Sequence, residues 1–218
     1  MGQHTFYIIQ IISTFSVVPV LSLGVLVFRK NTFPVNLFVG FCAFGFITDL
    51  LGWYFYLTNN VNANQVARHF YILIESSFYF WFVGAHIQNK IASRLFKKAW
   101  IMVIPIWVLT IFFWEIPQFK VFFQIIISFA LSFCLIQFVE KDESARRKFL
   151  FWFFLGSFFY YFCTFFFMNF LYSQFGLNLW YVRNILGIVA NLMFAWGFWV
   201  NRPSMPSRQS GSKAVFFP

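Results

Sequence analysis

Seven long apolar runs leave this chain few ways to fold. They fall at residues 5–28, 34–57, 66–88, 99–114, 119–139, 149–171 and 179–200, with short loops between them. Each is about as long as a helix must be to cross a bilayer, and the fourth is the shortest. The runs are continuous and do not alternate polar with apolar, so they read as helices and not as barrel strands. Apolar residues make up 61% of the 218 and charged ones 10%, too little polar surface for a soluble domain. The expected fold class is an all-α membrane protein of seven transmembrane helices. A transmembrane domain is expected over 1–200. Residues 201–218, rich in Ser, Pro and basic side chains, read as a disordered cytoplasmic tail that touches anionic lipid.

Orientation follows from the basic residues. Arg29 and Lys30 follow the first run, and Lys90, Arg94, Lys97 and Lys98 follow the third. Lys141, Arg146, Arg147 and Lys148 follow the fifth, and Arg202, Arg208 and Lys213 lie in the tail. Thirteen of the sixteen Lys and Arg thus fall on one side, leaving Arg68, Lys120 and Arg183 on the other. The positive-inside rule puts the thirteen in the cytoplasm, with the N-terminus outside and the C-terminus inside. The same rule accounts for the excess of base over acid, so no nucleic-acid partner is implied. The first residues, MGQHTFYIIQ, lack the basic region of a signal peptide and read as a retained helix. Phe6 stands where a myristoylation motif needs Ser or Thr. The expected location is a bacterial inner (plasma) membrane.

The runs also carry an internal repeat. Gln10-Ile-Ile-Ser-Thr14-Phe15-Ser16 is echoed by Gln124-Ile-Ile-Ile-Ser128-Phe129-Ala130. Gly40, Thr48 and Tyr56 correspond to Gly156, Thr164 and Tyr172, while Arg68, His69 and Trp81 correspond to Arg183, Asn184 and Trp196. All three sets share an offset of 114 to 116 residues. The expected scheme is 3+1+3: a first triplet over 5–88, a connector helix over 99–114 and a second triplet over 119–200, parallel repeats about an axis along the membrane normal. In helix count, orientation and repeat scheme the chain resembles the SWEET and PQ-loop transporters and the microbial rhodopsins. The resemblance is one of scaffold, and a scaffold does not fix function. Residues 179–200 hold no lysine for a retinal Schiff base. Pro117-Gln118 occurs once, in a loop, and is not the repeated motif of the transporters.

Within the runs, strong polar residues gather toward the outer half. Asp49 and Glu75 each stand about 12 Å from the outer end of their runs, at one expected depth. A carboxylate inside a membrane is expensive by a few kcal/mol and marks a functional site by default. Glu75 shares a helical face with Arg68, Tyr71 and Tyr79. Asn184 and Asn191 share a stripe on the seventh run with Arg183 beside it, and the expectation for Glu75 is either a counter-charge from another helix, Arg183 being the best candidate, or a raised pKa. The expected ligand-binding set is Asp49, Glu75, Arg68, His69, Arg183, Asn184 and Asn191, lining a pocket open to the outside. A packing network that pins the helices together is the competing account of the same residues.

The 38 Phe residues read as lipid-facing and packing residues, and Cys42, Cys134 and Cys163 as free thiols inside the spans. His4, His69 and His86 are too far apart for a zinc or bis-histidine haem site, so neither metal nor cofactor is expected. No HExxH, GxSxG or P-loop occurs. The function expected is binding or transport of a small solute or proton. A sensor or interaction subunit working through its basic cytoplasmic loops is the alternative. An intramembrane acid–base enzyme built on Asp49 and Glu75 comes third. The partners expected are the lipid bilayer and a small solute or ion, and the chain is free to form a homo-oligomer.

Overall fold

The computed structural model describes residues 3–27, 32–113, 116–141, 148–170 and 180–201. Among these, all regular structure is helical. In chain order the helices are α1 (Gln3–Phe15), α2 (Val18–Leu26), α3 (Phe33–Leu57), α4 (Val61–His86), α5 (Lys90–Phe113), α6 (Ile116–Lys141), α7 (Phe149–Phe170) and α8 (Trp180–Val200). The tail from residue 202 onward, the basic loop residues Arg29, Lys30, Arg146 and Arg147, and the side chain of Lys120 lie outside this description.

Five stretches are long and apolar enough to cross a membrane: Tyr7–Leu26, Phe33–Leu57, Phe122–Lys141, Phe149–Phe166 and Tyr181–Val200. Their outward surfaces are apolar too, with Leu26, Ile47, Leu57, Phe129, Ile136 and Leu192 all exposed. A soluble protein would cover such a surface, so the chain is a polytopic integral membrane protein. Helices α4 and α5 stand outside those five. α4 opens on Asn and Gln and carries Arg68, His69 and Glu75, and α5 opens with four basic residues.

The first run is not one helix. It breaks at Ser16–Val17, between α1 and α2, because Pro19 has no N–H and its ring crowds the carbonyl four residues back. The third starts earlier than its apolar residues do. Asn60 caps α4 by accepting from the Ala63 N–H at 3.1 Å, so the helix begins at Val61, a turn before the apolar run at 66.

Helices pack in chain order around a ring. α1 and α2 lie on α3, α3 on α4, α4 on α6, α6 on α7, α7 on α8, and α8 returns to α1 and α2. α5 stands outside, against α4 and touching α6. Lipid is as apolar as a side chain, so burial alone gives such a ring little stability and close packing must supply it. At Gly197 a β-carbon would come 2.8 Å from the Trp152 Cβ, and at Gly156 one would come 2.9 Å from the Phe194 ring. These small residues let α7 and α8 approach closely.

Aromatic rings fill the ring's centre at the end where α3 and α7 begin and α4 and α8 finish. Phe38 meets Phe153 at 4.8 Å and Phe194 at 5.0 Å, Phe82 meets Phe153 at 4.3 Å, and Phe149 stacks on Phe198 at 4.2 Å. Phe82, Phe153 and Phe198 are wholly buried. Each such pair is worth about 0.5–1.5 kcal/mol beyond its contact area. The other end of the ring is open.

Candidate functional site

A cavity of about 600 Å³ enters at that open end, walled by α1, α3, α4, α7 and α8. Its rim carries Tyr7, Tyr56 and Asn64, and the Tyr7 and Tyr56 hydroxyls are hydrogen-bonded at 2.6 Å. Phe38 and Phe194, members of the aromatic plug, form its floor.

The register of α3 against α4 sets the depth of each charge. Gly52 faces Asn64, Gly45 faces Tyr71, and Phe41 stacks on Phe78 at 4.3 Å. In that antiparallel register Asp49 is level with Arg68, and Glu75 is level with Cys42. Glu75 is therefore about 10 Å deeper than Asp49 along the axis. The expectation of one shared depth is corrected here. Counting from the apolar run omitted the polar first turn that Asn60 caps.

Six of the seven expected residues line the cavity: Asp49, Glu75, Arg68, Arg183, Asn184 and Asn191. His69 does not. It follows Arg68 by one residue, about 100° around the helix, and its backbone carbonyl accepts from the Trp107 indole of α5 at 3.0 Å. His86 also serves packing: it stacks on Phe82 at 4.5 Å and its Nδ1 lies 2.8 Å from the Phe82 carbonyl.

Glu75 is buried, and its Oε1 accepts from the Tyr161 hydroxyl of α7 at 2.7 Å. Tyr161 meets Tyr79 edge-on at 4.8 Å, and the Tyr79 hydroxyl lies 3.3 Å from the Ser157 hydroxyl. Phe41 stacks toward Tyr71 and stands edge-on to Tyr79. The deep carboxylate thus sits among aromatic rings. Nearer the mouth, Asp49 and Arg68 are exposed to the cavity's solvent. Arg183 donates from Nε to the Tyr160 hydroxyl at 3.4 Å, and its charge acts on both Asp49 and Glu75. The expected counter-charge is therefore in electrostatic reach of Glu75, while the hydrogen bond Glu75 accepts comes from a tyrosine.

The α1–α2 break supplies the rest of the polar wall. Asn191 donates from Nδ2 to the Ser16 Oγ at 2.8 Å, and that hydroxyl donates to the Ser13 carbonyl at 2.6 Å. The Trp53 indole donates to the Thr14 Oγ1 at 3.2 Å. Asn191 so braces the break where Pro19 leaves the helix short of a donor. The amide nitrogen of Asn184 is buried with no partner among the described residues.

Sequence reasoning missed Tyr160, Tyr161 and Ser16. Tyr160-Tyr161 did carry a signal, as two hydroxyls in a helix otherwise crowded with Phe. Cys42 lines the cavity floor, Cys134 is buried and Cys163 half-buried, and all three are free thiols. Among the described residues no three of His, Cys, Asp and Glu cluster as metal ligands would. No family model, characterised protein or solved structure matches the chain.

Proposed function

We propose that the chain is a seven-span plasma-membrane protein, N-terminus outside, whose cavity opens outward and binds a small polar solute for transport. One observation carries this: a charged cavity of about 600 Å³ that enters from one end and stops on an aromatic plug. That volume lies within the range of small-molecule sites. A polar void in a membrane bundle fills with water or ligand, and glue alone would not need to leave it open. A one-sided opening is what one half of an alternating-access cycle presents, with Phe38, Phe153 and Phe194 as the closed inner side.

The 3+1+3 repeat belongs to this reading. In its favour, the ring closes through α4–α6 and α8–α1/α2, which a twofold axis would exchange, and α5 stands outside as a connector would. Thr48 and Thr164 each bond the carbonyl four residues back, and Arg68 and Arg183 line the same cavity.

Labelling tests the cavity. With Cys42, Cys134 and Cys163 replaced by Ala, a cysteine at Ala67 on the cavity wall should react with an impermeant maleimide in intact spheroplasts. One at Ala130, buried on α6, should not. Reaction at Ala67 only after lysis would overturn the outward opening. A panel of metabolites, read by thermal unfolding, then tests binding: a true ligand stabilises the wild type and loses most of that effect in Glu75→Gln.

A further inference from the structure

The geometry points to a ligand that is a small zwitterion, held with its ammonium end deep in the cavity and its carboxylate or phosphate end near the mouth. This rests on the cavity being a solute site and adds the charge pattern of the solute. The first argument is balance. The wall carries two acids, Asp49 and Glu75, and two guanidiniums, Arg68 and Arg183. A ligand of net charge would leave one of these uncompensated in a poorly solvated space, whereas a zwitterion or a neutral molecule would not.

The second argument is segregation, and it favours the zwitterion. Arg68 belongs to the outer layer, level with Asp49 and exposed to the cavity's solvent, while Arg183 donates to the Tyr160 hydroxyl and its charge acts on both acids. Glu75 lies about 10 Å deeper, and the hydrogen bond it accepts comes from the neutral Tyr161 hydroxyl. Around it stand the rings of Phe41, Tyr71, Tyr79 and Tyr161. A carboxylate among aromatic faces is the environment an ammonium group selects, through charge and through the ring quadrupoles. The Arg68 guanidinium near the mouth is correspondingly suited to a carboxylate or phosphate, which a guanidinium binds in a fork.

The third argument is length. Arg68 and Glu75 are seven residues apart on one face, and even an extended arginine closes only part of that gap. The two charges of the ligand must therefore stand several ångströms apart. An ω-amino acid or glycerophosphocholine, whose phosphodiester carries a single negative charge, meets that requirement better than an α-amino acid, whose charges are adjacent.

Thermal unfolding of the detergent-solubilised full chain, titrated with four probes, tests this. γ-Aminobutyrate and glycerophosphocholine should stabilise the protein with apparent affinities at least about tenfold tighter than choline or inorganic phosphate. Glu75→Gln should weaken both zwitterions about tenfold and leave phosphate unchanged. Arg68→Gln should weaken them similarly and leave choline unchanged. Tyr71→Leu removes a ring and no charge, so it should weaken choline and glycerophosphocholine together. A short-chain phosphatidylcholine that binds more tightly than glycerophosphocholine places the source of the headgroup in the bilayer, and equal binding places it in solution; both keep the charge pattern. Choline or phosphate binding as tightly as the zwitterions would overturn the proposal, and so would no response to either zwitterion. The underlying reading fails separately, through the labelling of Ala67.

Discussion

Tyr161 spends its hydroxyl on Glu75, and both side chains are buried. Removing the donor leaves a carboxylate with one partner fewer in a place where water reaches it only through the cavity. Tyr161→Phe should therefore destabilise the protein by about 1–3 kcal/mol, read as a lower unfolding temperature in detergent. The loss should shrink when Glu75→Gln is already present, since the two changes break one interaction. An unchanged unfolding temperature in Tyr161→Phe would remove the bond from the account of the site. Glu75 stood out in the sequence, because a carboxylate inside an apolar run is expensive. Its depth did not, because an apolar run marks the lipid-matched part of a helix and α4 starts a turn earlier, at the Asn60 cap. Tyr160 and Tyr161 come from α7, and only tertiary packing brings them to Glu75 and Arg183.

Gly40 and Gly156, paired in the proposed repeat, have opposite settings in their helices. Around Gly40 on α3 an added β-carbon would meet nothing within 4 Å, while Gly156 on α7 is pressed against α8. Gly40→Ala should leave stability unchanged or slightly raised, as Ala is the better helix former. Gly197→Ala should cost about 1–3 kcal/mol, because the new carbon would meet the Trp152 Cβ at 2.8 Å and the Phe149 carbonyl oxygen at 3.3 Å, neither of which can rotate away. Equal behaviour of the two variants in thermal unfolding would show that α7 and α8 are not held by this close approach. Hydropathy located most of these elements and could not tell the two glycines apart, since contact with a neighbour is not written in a single helix. The α1–α2 break had a local signal in Pro19, yet proline is common enough in membrane helices that the residue alone does not say whether it kinks or divides one.

The whole molecule depends on which way the ring faces, for the cavity opens at one end only. That end holds the start of α1, the turn between α3 and α4, and the start of α8, as the Tyr7–Tyr56 hydrogen bond and the rim residue Asn64 require. The opposite end holds the start of α5, where Lys90, Arg94, Lys97 and Lys98 are all exposed, and the finish of α6 at Lys141. In the proposed orientation these cations stay in the cytoplasm, because moving so many across a membrane is disfavoured, and the cavity faces out. A reporter active only in the cytoplasm should work when fused after Lys141 or after Pro218 and stay silent when fused after Asn60. A reporter that works only outside should give the mirror pattern. The fusion after Asn60 matters most, because it lies between the two helices that carry Asp49, Arg68 and Glu75. Cytoplasmic activity there, with silence at Pro218, would turn the cavity inward. The solute would then be met inside the cell, and the aromatic plug around Phe38 would become the outer barrier.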